Sequence, residues 1–256
     1  MASWASRRKL IYGGSFFIVV FGIIGTIGFS LFYKTPTCSD GKMNGNETGV
    51  DCGGSCVRLC QSAFLAPKLK WGGAKFEKIT EGLYNVASYI TNPNTTGSAK
   101  SVPYIFTLYD SRGLPITERK GVVTLPAHRD TLAFESSVST GKSIPIKATF
   151  EFTSAPVWFK SSDTLDGIAI IDKKYTEDET TSSLEVVLEN RSLLPYKAVT
   201  VFAILYDAGD NAIGFSRTKI DIIQAKGGRE IAPFTWPVGR KGKVTSIEVL
   251  PVIENI

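Results

Sequence analysis

Leu10 to Tyr33 is an unbroken run of 24 residues without a charge, LIYGGSFFIVVFGIIGTIGFSLFY, and no later stretch of the chain has that character. About 20 apolar residues cross the hydrocarbon core of a bilayer as a helix, so the run predicts a membrane span at 10–33 with some tilt. Gly13, Gly14, Gly22, Gly25 and Gly28 would weaken a helix in water but are common in spans. A cleaved signal peptide is the competing assignment. The run exceeds the usual apolar region of about 7–15 residues, and no small-x-small cleavage site follows it before Pro36, which favours an uncleaved signal-anchor. Arg7, Arg8 and Lys9 precede the run and only Lys34 follows closely, so the positive-inside rule places residues 1–9 in the cytoplasm as a short tail and the rest of the chain outside. Trp4 and Tyr33 are candidate interfacial anchors. Gly22, Thr26 and Ser30, four residues apart, form a stripe of small side chains suited to a partner helix.

After residue 60 the period changes from helix to strand. Ile144, Ile146, Ala148, Phe150 and Phe152 alternate with Pro145, Lys147, Thr149 and Glu151, and Leu184, Val186 and Leu188 alternate with Glu185 and Glu189. Tyr104–Tyr109 and Val201–Tyr206 are apolar on both faces, as central strands are. Turn signals separate the runs at Asp110–Gly113, Asp207–Asn211 and Gly227-Gly228. Leu108-Tyr109-Asp110 matches Leu205-Tyr206-Asp207 at an offset of 97, and Asn92 matches Asn190 at 98, which indicates a duplicated domain. The pattern predicts an all-β fold: two tandem antiparallel Ig-like β-sandwich domains of about seven strands each, at 64–152 and 155–256, preceded by one N-terminal transmembrane helix and a small disulfide-rich module at 38–60. The short join at Thr153–Pro156, without a Gly/Ser linker, predicts a stiff pair. Trp71 and Trp158 stand at the starts of the two repeats and read as core anchors. Trp236, between prolines in Pro-Phe-Thr-Trp-Pro, is the candidate surface contact.

Composition removes several functions. The 256 residues include one histidine, His128, and four cysteines, all between Cys38 and Cys60, which leaves little for metal-histidine or Cys-His catalysis. The net charge of +5 is concentrated at the membrane end: residues 1–37 hold four basic and no acidic side chains, and the remainder holds 25 basic and 24 acidic. A nucleic-acid-binding face needs basic charge on the folded part, so no nucleic-acid partner is expected. There is no G-x-S-x-G, no phosphate-binding glycine loop and no H-E-x-x-H, and the chain is not expected to be an enzyme. The acidic run Glu177-Asp178-Glu179 reads as an exposed hairpin tip.

Cys38, Cys52, Cys56 and Cys60 fall within 23 residues that contain almost no apolar side chains, so cross-links must replace burial. Outside the membrane this reads as two disulfides, with three connectivities open. Zinc is the alternative, but the C-x13-C-x3-C-x3-C spacing lacks the usual C-x2-C pairs. Asp40, Asn44, Asn46, Glu47 and Asp51 offer hard oxygen ligands on a glycine-rich loop, which suits calcium; polar turns use the same residues. Calcium is the single cofactor candidate.

Four resemblances follow from these residues. The segment Cys38–Cys56 resembles a cysteine motif of secreted and surface proteins, C-x-D-G-x-x-N-G-x-E-T-G-V-D-C-G-G-x-C, which implies a stalk or connector. Phe106-Thr-Leu-Tyr-Asp110 resembles the signature of the FxLYD domain, a bacterial extracytoplasmic module. Ala203-Ile-Leu-Tyr-Asp207 is a near copy that departs at its first position, where Phe202 lies one residue early. Asn92-Pro93-Asn94 is similar to the NPN element of LEA/WHy-type immunoglobulin-like sandwiches. The order of anchor, cysteine module and paired sandwiches is similar to that of single-span proteins of small-genome bacteria. The resemblance implies a fold and a location and no activity. Within it, Phe106, Leu108, Tyr109, Asp110, Leu205, Tyr206 and Asp207 read as structural: the tyrosines bury a ring and tie the hydroxyl to the backbone, and the aspartates cap the following turn.

The expectation is a non-enzymatic, single-pass protein of the cell membrane. Residues 10–33 lie in the bilayer, the C-terminal part is extracytoplasmic, and an envelope protein is the partner. A surface adhesin or carbohydrate-binding module is the alternative, as is an accessory subunit of a secretion or pilus machine.

Overall fold

The computed structural model describes residues 4–161, 167–237 and 242–253, with Ala5 and Ser6 described by backbone alone. It divides into two units, residues 1–56 and residues 57–256.

The first unit holds the helix α1, Trp4–Phe32. It starts earlier than the uncharged run, so Arg7, Arg8 and Lys9 of the expected tail are already helical; residues 1–3 of that tail lie outside the described set. The Arg8 guanidinium sits 3.9 Å over the Trp4 ring. From Arg7 to Phe32 the helix is long and apolar enough to cross a membrane. Thr26 and Ser15 direct their hydroxyls to the carbonyls of Ile23 and Ile11, which satisfies them inside the helix.

The second unit is built of strands. β1 (Lys68–Thr80), β2 (Leu83–Thr91) and β5 (Asp130–Ser139) form one sheet in the order β1-β2-β5. β3 (Gly97–Tyr109), β4 (Pro115–Leu125) and β6 (Lys147–Phe152) form a second in the order β4-β3-β6. The short β7 (Phe159–Lys160) pairs with the start of β3. β8 (Ile168–Glu177), β9 (Thr181–Asn190) and β12 (Gly228–Pro237) form a third sheet in the order β12-β9-β8. β10 (Tyr196–Tyr206), β11 (Ala212–Ile223) and β13 (Ser246–Ile253) form a fourth in the order β11-β10-β13. Both halves therefore use one strand order, with each strand of the first matched in sequence by one of the second. Among the described residues each half has six principal strands where about seven were expected, and β7 keeps the chain on the first half beyond residue 155, where the second domain was expected to start.

Three apolar clusters lie between the sheets. Val86, Phe106, Leu108 and Leu125 belong to the cluster between the first two sheets, and Leu184, Leu188, Val201 and Leu205 to the one between the last two. A third cluster joins the halves: Ala87, Tyr89, Leu132 and Phe134 from β2 and β5 meet Phe202, Ile204, Phe215 and Val252 from β10, β11 and β13. Four sheets are thus stacked in layers, β-sandwich fashion, with the β1-β2-β5 and β11-β10-β13 sheets in the middle. This is why Val201–Tyr206 is apolar on both faces: alternate side chains enter two different cores. The two halves are joined by this buried seam as well as by the chain itself.

Two details of the pattern differ from expectation. β6 begins at Lys147, so Ile144 and Ile146 lie before it and are 74% and 61% exposed, while Phe150 alone of that alternating set is buried. Trp158 packs in the first half's core, stacked on Phe64 at 5.6 Å, and is not an anchor of the second half.

Candidate functional site

In the cysteine module, Cys38 is bonded to Cys56, and Cys52 and Cys60 are also disulfide-bonded, which leaves no free cysteine and excludes zinc thiolates. Gly54 has a φ of +56°, and a side chain there would collide with the carbonyl of Asn46, so the second glycine of the motif is required by close backbone approach and the first, Gly53, by its φ of +74°. Asp40, Glu47 and Asp51 each accept backbone amides of the module. Asp51 accepts the Gly41 amide through both oxygens at 3.1 and 3.0 Å. Glu47 Oε2 accepts the amides of Asn44 and Asp51, each at 3.3 Å. Asp40 accepts the Lys42 amide at 2.9 Å and the Asn44 side chain at 2.8 Å, which holds its carboxyl below the usual range, the Asn44 bond being the larger cause. Asn46 supplies the carbonyl that Gly54 approaches. Among the described residues the one cluster with metal-ligand spacing is Cys38, Glu47 and Cys56, whose sulfurs are oxidised. These bonds brace the turns of the module, and Asn44 Oδ1 is buried there without a donor.

The two Leu-Tyr-Asp segments end equivalent strands, β3 and β10, and open equivalent turns. Asp110 Oδ1 accepts the amides of Arg112 and Leu114 at 2.9 and 3.0 Å, and Asp207 Oδ1 those of Gly209 and Asn211 at 2.8 and 2.9 Å. These amides, those of Leu114 and Asn211 foremost, lower both carboxyls. Leu108 and Leu205 are fully buried in their own cores. The departure at the first position has a geometric cause: Phe106 faces its half's core, Ala203 takes the corresponding place, and Phe202 turns to the other face and into the seam. The tyrosines differ from expectation. The Tyr206 hydroxyl donates to a side chain, Glu248 Oε2, at 2.8 Å rather than to backbone, and Tyr109 lies half-buried under Lys147.

Asn92 and Asn190 have a role the sequence did not reveal. Asn92 donates from Nδ2 to the carbonyls of Gly97 and Pro126, both at 2.8 Å, and accepts the Asn94 amide at 3.0 Å. Asn190 donates to Leu194 and Ile223 at 2.8 and 3.1 Å and accepts the Ser192 amide at 2.9 Å. Each buried amide ties the end of its strand to the following loop and to the end of a strand in the facing sheet.

The seam holds the molecule's polar cluster. The Tyr89 hydroxyl lies 2.8 Å from Asp130 Oδ2 on its own half and 2.7 Å from Glu248 Oε1 on the other, with Lys70 Nζ at 3.3 Å. Burial, then Glu248 and Asp130, push the Tyr89 phenol well above its ordinary range. The Phe215 amide donates to Glu77 Oε2 across the same boundary at 3.3 Å. Trp236, the expected surface contact, is 2% exposed and stacks on Phe234 in the second half's core. Its alternation with Ala232 and Phe234 along β12 is the signal that the flanking prolines obscured.

Two grooves flank the seam. One, of about 450 Å³, is lined by Tyr104, Glu135, Thr200, Arg217 and Lys219 among others; the second, of about 510 Å³, by Asn85, Ser136, Ser137, Thr235, Arg217 and Trp236 among others. Phe134 and Arg217 border both. Among the described residues of 57–256, every Phe, Tyr and Trp is buried or half-buried.

No family model matches the chain, and no curated protein matches it. Among solved structures it is similar to a Bacteroides fragilis protein assigned as a β-galactosidase, at 15% identity and a TM-score of 0.20, over 68% of this chain and 33% of that one. The chain thus spans about a third of that structure's length.

Proposed function

We propose that this is a membrane-anchored extracytoplasmic protein with a structural or protein-interaction role in the cell envelope, without catalytic activity. The observation that carries the reading is one apolar helix followed by a module whose four cysteines are all oxidised, because disulfides persist outside the reducing cytoplasm. Charge supports the orientation: Arg7, Arg8 and Lys9 keep the N-terminus cytoplasmic and 34–256 lies outside. In this reading the two halves are duplicated Ig-like sandwiches of FxLYD or LEA/WHy type, supported by their common strand order and by the paired roles of Asn92 with Asn190 and Asp110 with Asp207. Binding through protein contact is favoured over sugar stacking, since no exposed aromatic ring stands on the described surface of 57–256. In-cell photo-crosslinking from Lys120 and Lys174 tests the reading. Capture of one defined envelope protein is expected, and labelling of background alone contradicts it.

A further inference from the structure

We propose that the loop between β9 and β10 is a second membrane contact, with Leu193 and Leu194 entering the surface of a bilayer that carries anionic headgroups. This rests on the membrane-anchored reading above and adds a contact that the reading does not contain. Leu193 and Leu194 are 78% and 74% exposed, and Pro195 beside them is exposed too, so the tip of the loop is apolar. The duplication supplies an internal comparison. At the offset that relates Asn92 to Asn190, the first half has Thr95 and Thr96 where the second has Leu193 and Leu194. Both threonines are exposed as well, so these positions face solvent in both halves and neither core demands leucine there. A contiguous apolar tip that packing does not require marks a contact surface.

The loop is braced. Asn190 Nδ2 and the Ser192 hydroxyl both donate to the Leu194 carbonyl, at 2.8 and 2.7 Å, and Asn190 Oδ1 accepts the Ser192 amide at 2.9 Å. The Arg191 amide donates to the Gly167 carbonyl at 2.7 Å, and the Lys226 amide to the Ser192 carbonyl at 2.9 Å. Pro195 fixes its own φ and restricts Leu194 before it. The two leucines are therefore presented outward on a set backbone, which lowers the ordering cost of binding. Charge selects the partner. Arg191 is taken by Glu189 at 2.9 Å. Lys197, two residues past Pro195, and Lys226, whose amide reaches the loop, are exposed and form no ion pair with a described residue. A convex apolar tip beside free cations suits lipid better than a protein pocket: acyl chains take the leucines without a matching cavity, and anionic headgroups take the lysines. The bilayer is also at hand, because the apolar helix Arg7–Phe32 belongs to the same chain and raises the local concentration of lipid around the loop.

The test uses the full-length protein in vesicles of phosphatidylcholine and phosphatidylglycerol, with bromine on the acyl chains as a quencher of tryptophan emission. Leu194→Trp carries the reporter, with Trp4→Phe alongside to remove the native tryptophan of the membrane helix. Ile144→Trp, at a residue 74% exposed in another loop, is the comparison. The Leu194→Trp reporter is expected to shift to the blue and lose about half its emission, as befits a side chain sunk about 5–10 Å into the interface. The Ile144→Trp reporter is expected to keep its emission. Lys197→Glu with Lys226→Glu is expected to restore most of the emission lost at Leu194→Trp. All these substitutions alter exposed side chains, and Leu193→Trp repeats the measurement if the first variant melts early. Unquenched emission, a blue shift without quenching (contact between two copies), equal quenching of Ile144→Trp, or quenching indifferent to the lysine variants each overturns the proposal. Protein that floats with the vesicles but shows no quenching at Leu194→Trp leaves the anchored reading standing and removes this one; protein that does not float removes both.

Discussion

Asn190 is fully buried, and its two donated bonds satisfy carbonyls of Leu194 and Ile223. Asn190→Ala removes both donated bonds from inside the fold, although the Leu194 carbonyl keeps the Ser192 hydroxyl, and is expected to cost about 1–3 kcal/mol, read as a lower midpoint in thermal unfolding. Asn190→Asp keeps the acceptor but not the donors, and is expected to be no better than Ala. The matched position, Asn92, should behave alike. The spacing of these residues was legible but not their role, because one bond of each runs to a carbonyl 33 or 34 positions away. The aspartate caps were legible, since an Asx turn is closed by residues only two and four positions along. Asp110, Asp178 and Asp207 are all lowered by amides that bond the charged form, and Glu189 by Arg191 and then Arg229. Folded-state depression means that the unfolded chain binds protons first on acidification. The stability these carboxylates supply is present above the ordinary value of 3.8 for aspartate and is lost as pH falls below it. Asp207→Asn should lower the melting temperature at neutral pH and flatten its decline in acid. Unfolding curves of the two proteins between pH 2 and 7 check both.

At the scale of elements, the buried seam makes the halves one body. Phe215 is 1% exposed at its centre, against Trp71 and Phe134. Removing a buried Phe side chain costs about 3–5 kcal/mol, and a charge there costs more because no partner faces it. The native protein is expected to unfold in one transition, whereas Phe215→Asp should separate the halves into two. Calorimetry distinguishes these outcomes, and two transitions in the unaltered protein contradict the coupling. Most strands were readable from their period, and the repeat from its offset. The seam was visible only as strands apolar on both faces, which marks a second packing surface without saying what covers it. Trp236 was misplaced because prolines beside it suggested an edge, while its place in the period-2 alternation of β12 sends it inward. Ile144 and Ile146 continue an alternating pattern past the end of their strand, where no facing sheet remains to bury them.

For the whole molecule, the disulfides and the orientation are separate claims. Mass spectrometry of a non-reduced digest is expected to give a peptide linking Cys38 to Cys56 and no free thiol; free Cys52 or Cys60 contradicts the oxidised module. Orientation decides whether the layered body faces outward, and with it the interaction reading. It is tested most directly by treating cells stripped of any outer layer with a membrane-impermeant amine reagent, then locating the labelled lysines by mass spectrometry. The account predicts label on Lys120, Lys174 and other exposed lysines of 57–256 and none on Lys9 until the membrane is opened. Label on Lys9 with protection of the others would place the body in the cytoplasm and contradict it.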